Sequence, residues 1–185
     1  MIYKPLILLT RLLNDHLKNY FKLKNDIVYL SSVNDREKTL SSNRVNVTMV
    51  NIERETAGGI QMSRQHIGKN LSARIAPGWQ INLYVLFSVL FQEKQYNESL
   101  RILSGVMSFI QKKNKYDEQD TDIPFAIEPV NLSFQELSNL WGILGGVYYP
   151  SILCKIRVLT IDEQEIIDLS GIIMGKEENV KADLQ

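Results

Sequence analysis

A chain of 185 residues with 44% hydrophobic and 23% charged side chains has the composition of one globular domain with short extensions, which excludes a disordered, collagen-like or disulfide-stapled chain. At this length roughly 70% of the unfolded surface can be hidden, so a core forms without metal or disulfide. The 21 basic and 21 acidic groups cancel, which excludes the global field that draws a protein onto nucleic acid or an anionic membrane.

The cancellation hides an asymmetry. Residues 1–115 hold 17 Lys and Arg against 8 Asp and Glu, whereas residues 116–185 hold 4 against 13. Two surfaces of opposite sign would suit head-to-tail self-association, and a fold that intermixes the two halves would erase the polarity. The single cysteine, Cys154, makes no internal bridge and fits a reducing compartment, so synthesis in the cytoplasm is expected. The apolar residues 6–9 follow Lys4 but are cut off by Arg11, Asn14 and Asp15 without a small-residue cleavage site, unlike a signal peptide. Residues 81–91, interrupted by Asn82 and Ser88, fall short of the ~20 needed to span a bilayer as a helix.

In chain order, Leu6, Leu9, Leu13, Leu17 and Tyr20 recur at helical spacing behind Pro5 and predict an amphipathic first helix. Residues 27–30 form a short strand candidate, and Val45, Val47 and Met49, alternating with Asn46 and Thr48, a half-buried second. Residues 81–91 carry apolar groups on both faces, as a central strand does. Tyr96, Leu100, Leu103, Met107 and Ile110 mark a second helix ending in the polar run 112–122. Ser133 with Glu136 three residues on is a capping-box pairing, and Phe134, Leu137, Leu140, Trp141 and Leu144 give the third helix its stripe, stopped by Gly145 and Gly146. A last strand covers residues 152–161, with Ile152, Cys154, Ile156 and Val158 on one face; Cys154 is thereby a core residue rather than a nucleophile.

This order predicts an α/β (α+β) sandwich, a mainly antiparallel or mixed sheet covered by helices, in residues 1–165, followed by an extension at 166–185. Two stretches are not absorbed by that core. Residues 54–78 form a connection far longer than the usual ~4 to 6 residues, basic through Arg54, Arg64, His66, Lys69 and Arg74. Ile166, Ile167, Leu169, Ile172, Ile173 and Met174 follow the last strand, as an internal edge strand or one added to a neighbouring subunit.

Motifs for chemistry are lacking. His16 and His66 have no ligand spacing, Gly68-Lys69 lacks the first glycine and the closing Ser or Thr of a phosphate loop, and neither glycine pair has the third glycine of a dinucleotide loop. Asp162, Glu163 and Glu165 read as a solvated edge rather than an acid/base pair. No catalytic residue, cofactor or metal is expected. The basic 54–78 connection leaves a small nucleic-acid-binding module as the alternative reading, although it has no aromatic residue on which a base could stack.

The run NLSFQELSNLWGILGGVYYPSILCKIRVLTID at residues 131–162 resembles the signature of the cap, or tail-terminator, proteins of contractile injection systems. LLNDHL at 12–17, VNIERE at 50–55 and NLYVLFS at 82–88 lie in matching order, so that the resemblance covers about residues 6–162. The resemblance implies a non-enzymatic structural cap at the baseplate-distal end of a bacterial particle, assembled in the cytoplasm as a ring, expected to be a homohexamer. Its partners would be itself, the inner tube protein and the contractile sheath protein, with no nucleic acid and no membrane insertion. Family relatives can carry a further C-terminal domain. Arg54, Arg64, Lys69 and Arg74 are candidate electrostatic contacts, and Ile166, Ile167, Leu169, Ile172 and Ile173 a candidate augmenting strand. Trp141, Tyr148 and Tyr149 are read as core or turn packing, with an interface as the other option.

Overall fold

The structure is a computed structural model that describes residues 2–33, 43–55, 63–66, 71–75, 79–117, 119–121, 124–161 and 166–171. Its contacts divide the chain into two compact units, Met1–Thr56 with Trp79–Ile161, and Ala57–Gly78 with Asp162–Gln185. The first unit runs α1 (Tyr3–Phe21), β1 (Val28–Leu30), β2 (Arg44–Arg54), β5 (Trp79–Leu90), α2 (Tyr96–Lys112), β6 (Lys115–Tyr116), β7 (Phe125–Pro129), α3 (Phe134–Ile143) and β8 (Ser151–Ile161). The second holds β3 (Ser63–His66), β4 (Leu71–Ile75) and β9 (Ile166–Gly171).

The main sheet has the order β1-β2-β5-β8-β7-β6, with β1 parallel to β2 and every other neighbour antiparallel. This mixed sheet, covered by helices, is the architecture the sequence predicts. The central strand β5 alternates Val85, Phe87 and Val89 toward one face with Leu86 toward the other, and each is buried. On the first face Leu9, Leu13 and Leu17 of α1 and Val106 of α2 are sealed from solvent against Val45, Val47, Leu83, Cys154 and Ile156. On the second, Trp141 of α3 packs with Val33, Leu86 and Leu153.

The helix α1 is fastened to β1 by one buried amide. Asn14 Oδ1 accepts the Ile27 and Val28 backbone N–H groups at 3.0 and 3.3 Å while its Nδ2 donates to Asp26 at 2.8 Å. A buried polar side chain is tolerated when its hydrogen-bonding capacity is met, as it is here. Against α2, α1 comes so close that a Cβ on Gly105 would stand 2.7 Å from the Phe21 ring and 2.8 Å from Leu17.

The contact face of α2 differs from the expected stripe. It consists of Ser99, Ile102, Gly105, Val106, Phe109 and Ile110, whereas Tyr96, Leu100 and Met107 are exposed. Gly105 lets α1 approach, and with Ser99 also buried the larger apolar residues Tyr96, Leu100 and Met107 stay outward. The Ser133–Glu136 capping box forms in full: the Ser133 side chain accepts the Glu136 N–H and the Glu136 carboxylate accepts the Ser133 N–H at 2.8 Å. Phe134, however, leaves the predicted stripe and stands 93% exposed. Gly145 and Gly146 end the helix at φ of 109° and 78°, the left-handed region that other residues resist.

The 54–78 connection also contains structure that its polar sequence concealed. Strands β3 and β4 form an antiparallel pair within it, and β9 of the C-terminal extension pairs antiparallel with β4.

Candidate docking surfaces

Of the basic residues singled out in the sequence, Arg54 closes β2 opposite Ile81 of β5 and is exposed. Arg64 and Arg74 are register partners across β3 and β4, and Asp168 of β9 is the partner of Arg74, so the three occupy one row of the small sheet. The row puts one acidic position from the C-terminal half beside two basic ones. Ile166, Ile167 and Leu169 belong to β9. Lys69, Ile172 and Ile173, like Asp162, Glu163 and Glu165, lie outside the described residues.

Groups with potential for chemistry are occupied structurally. Burial removes Cys154 from solvent and pushes its thiol up to about 12, so it stays protonated and inert. His16 lies between the rings of Tyr20 and Phe109, and burial, reinforced by Lys112, lowers its pKa. The Tyr84 hydroxyl donates to Glu53 at 2.7 Å, and this bond to the carboxylate raises the phenol's pKa. Asn82 Nδ2 donates to Glu55 at 3.0 Å, and Arg157 pairs with Glu128 at 3.1 Å. No group of three His, Cys, Asp or Glu able to hold a metal occurs among the described residues. Among them, no helix is long and apolar enough to cross a membrane.

Besides single exposed residues such as Tyr3, Tyr20, Met49 and Phe134, the first unit exposes neighbouring apolar residues in two places. One is the Tyr96, Leu100 and Met107 face of α2, which leads into a cleft of about 390 Å³ lined by Met107, Gln111, Asn114, Pro129 and Ile152 among others. The other is the turn after α3, where Ile143, Val147 and Tyr148 are exposed while Tyr148 also leans edge-on against the buried Trp141 at 5.7 Å. Sequence periodicity gives the α2 residues as core and Tyr148 as core or turn packing with an interface as the other option; burial tells the difference. Trp141 is core as expected, and Tyr149 is half-buried beside it.

The first unit is thus an α/β/α layered sheet, and the second a small three-stranded sheet made by the 54–78 connection and β9. Residues 8–172 match the Pvc16 N-terminal domain, and the chain belongs to that family. Two solved structures share its fold. One is the sheath/tube terminator of the PVC extracellular contractile injection system in the extended state, with a TM-score of 0.64 and 16% identity over 96% of this chain. The other is the tube-terminating cap of the anti-feeding prophage, with a TM-score of 0.61 and 14% identity over 95% of this chain. The chain spans 64% and 60% of the length of those two proteins. No curated protein matches it significantly.

Proposed function

We propose that the protein is a non-enzymatic cap, or tail terminator, of a bacterial contractile injection system. Assembled in the cytoplasm as a ring of identical subunits, expected to be six, it ends polymerisation of the inner tube and the sheath and holds the extended sheath to the tube. The observation that carries this reading is family membership over residues 8–172 together with a fold shared with two tube or sheath terminators. Arg54, Arg64, Lys69 and Arg74 are proposed as electrostatic contacts to the rings below. Ile166, Ile167, Leu169, Ile172 and Ile173 are proposed as the strand that reaches a neighbour, for which β9 has an edge not used by β4.

The test is electron microscopy of particles from cells with and without the gene. Overlong, ragged or sheathless tubes in the deletion, restored by complementation, are expected; particles of normal length with intact ends would overturn the cap reading. Binding to single-stranded nucleic acid that falls steeply with salt would then favour the basic segment as a nucleic-acid module.

A further inference from the structure

Two polar side chains are sealed inside the second face of the main sheet, the face on which α3 packs. Asn46 of β2 and Ser88 of β5 are register partners, and both are 0% exposed. Ser88 shares its face with Leu86 two residues before it, so the pair continues the layer that Trp141 covers. Asn46 Oδ1 and Ser88 Oγ each have no hydrogen-bond partner among the described residues. A buried polar atom in that state is destabilising, and native interiors satisfy nearly all of theirs.

Turning the amide over does not help. Asn46 Nδ2 donates to the Ser32 carbonyl at 3.3 Å, so the flipped amide would set oxygen against oxygen. Ser32 follows β1, which flanks β2 on the side away from β5, and the bond draws Nδ2 to that side. Oδ1, on the other branch of the amide, is left without a donor. Ser88 has as little choice, because it sits in the central strand, whose backbone groups are engaged by β2 on one side and β8 on the other.

The surroundings suit one water molecule. Register partners in an antiparallel pair hold their Cβ atoms roughly 4.5 to 5.5 Å apart, so a single oxygen can reach both side chains. The partner of Ser88 on β8 is Ser151, and two short side chains thus lie side by side in a face that also carries Leu86, Leu90 and Leu153. Such a pair leaves space of the order of the ~30 Å³ that a water takes. An ion suits the place less. Oδ1 repels an anion, and two neutral oxygens do not offset the desolvation of a cation near Arg44, which is 3% exposed and two residues before Asn46 on the same face.

We infer that a buried water bridges Asn46 Oδ1 and Ser88 Oγ, donating to the amide oxygen and sharing a hydrogen bond with the hydroxyl. It ties β2 to β5 through their side chains beside residues 31–33, which Asn46 and Thr48 fasten from the same face. The site lies within one chain and does not depend on the cap reading.

The full chain is tested in two ways. A crystal structure at about 1.8 Å or better should show one ordered oxygen about 2.7 to 3.2 Å from both atoms. Ser88 donating directly to Asn46 Oδ1 or to a backbone carbonyl, or no density between the two unmoved side chains, overturns the inference. In solution, Ser88→Ala removes one end of the bridge. A hydroxyl satisfied through water contributes a net hydrogen bond, so the unfolding constant should rise roughly two- to tenfold, read from urea midpoints at unchanged m. Removal of an orphaned hydroxyl has the opposite sign: stability unchanged or raised in Ser88→Ala overturns the bridge as well.

Discussion

The two faces of the six-stranded sheet are covered unequally. On one, two helices of 19 and 17 residues bury Leu9, Leu13, Leu17 and Val106 completely against the strands. On the other, a helix of 10 residues rests on Trp141, and its remaining apolar side chains are half-buried or exposed. The thick face supplies the stability of the domain. The thin face, held by a cap at its start and a double glycine at its end, leaves Phe134, Ile143, Val147 and Tyr148 exposed.

Core truncation should widen that contrast most. Leu13→Ala leaves a cavity in a fully buried site and should cost about 3 to 5 kcal/mol. The same change at half-buried Leu140 should cost about 1 to 1.5 kcal/mol. Urea midpoints at unchanged m report both. Equal losses would mean that α3 is as deeply seated as α1.

The helix glycines sharpen the contrast with an opposite sign. Alanine at Gly105 gains helix propensity but drives a methyl into half-buried Phe21 and into Leu17, which is sealed in the core, so a net loss of about 1 to 3 kcal/mol is expected. Alanine at Gly142 meets nothing within 4 Å and should stabilise by up to about 1 kcal/mol. Thermal melts of the two variants decide it; a stabilising Gly105→Ala would show that α1 and α2 can move apart without loss.

How far these features were legible in the sequence follows from the length over which each signal acts. The α1 stripe from Leu6 to Leu17, the doubly apolar β5, the capping box and the β8 core face at Cys154 and Ile156 are local patterns, and each is found where the residues place it, whereas Tyr20 and Met49 are exposed and Asn46 and Thr48, expected on the outer face of β2, are buried. Of the expected α2 stripe only Ile110 is buried and Leu103 half-buried; the rest of the face was not legible, because periodicity weighs large apolar residues while Ser99 and Gly105 belong to the buried side. Strands β3 and β4 were missed because SRQH and LSARI lack clear alternation, and β4 is completed by β9, whose partner no local pattern identifies. Strand β7 was hidden behind the polar run before it; its Phe125 and Ile127 are buried by β8 and α2, which the local sequence does not reveal. The turn at Ile143–Tyr148 was readable as a turn, and its exposure only from the fold.

The smallest effect expected lies at the cap of α3. Ser133→Ala removes the acceptor of the Glu136 N–H and should cost about 1 kcal/mol. The pairing also makes the thin face sensitive to acid. The Ser133 backbone N–H and then its hydroxyl donate to the Glu136 carboxylate, holding its pKa below the ordinary 4.5. A carboxylate that is more acidic when folded stabilises fully above its unfolded pKa, and that contribution fades as pH falls through its lower folded value. Asp26, lowered chiefly by the Lys18 ammonium and then by Asn14, follows the same sign on the thick face. Acidification from about pH 6 to about pH 3 should therefore weaken wild type at both places, and Ser133→Ala at Asp26 as before but at Glu136 only through the backbone N–H that the substitution leaves in place. The variant's midpoint should fall less steeply than that of wild type below the ordinary Glu value of 4.5. Parallel curves would mean that the hydroxyl has no part in the shift and that the Ser133 backbone N–H accounts for it alone.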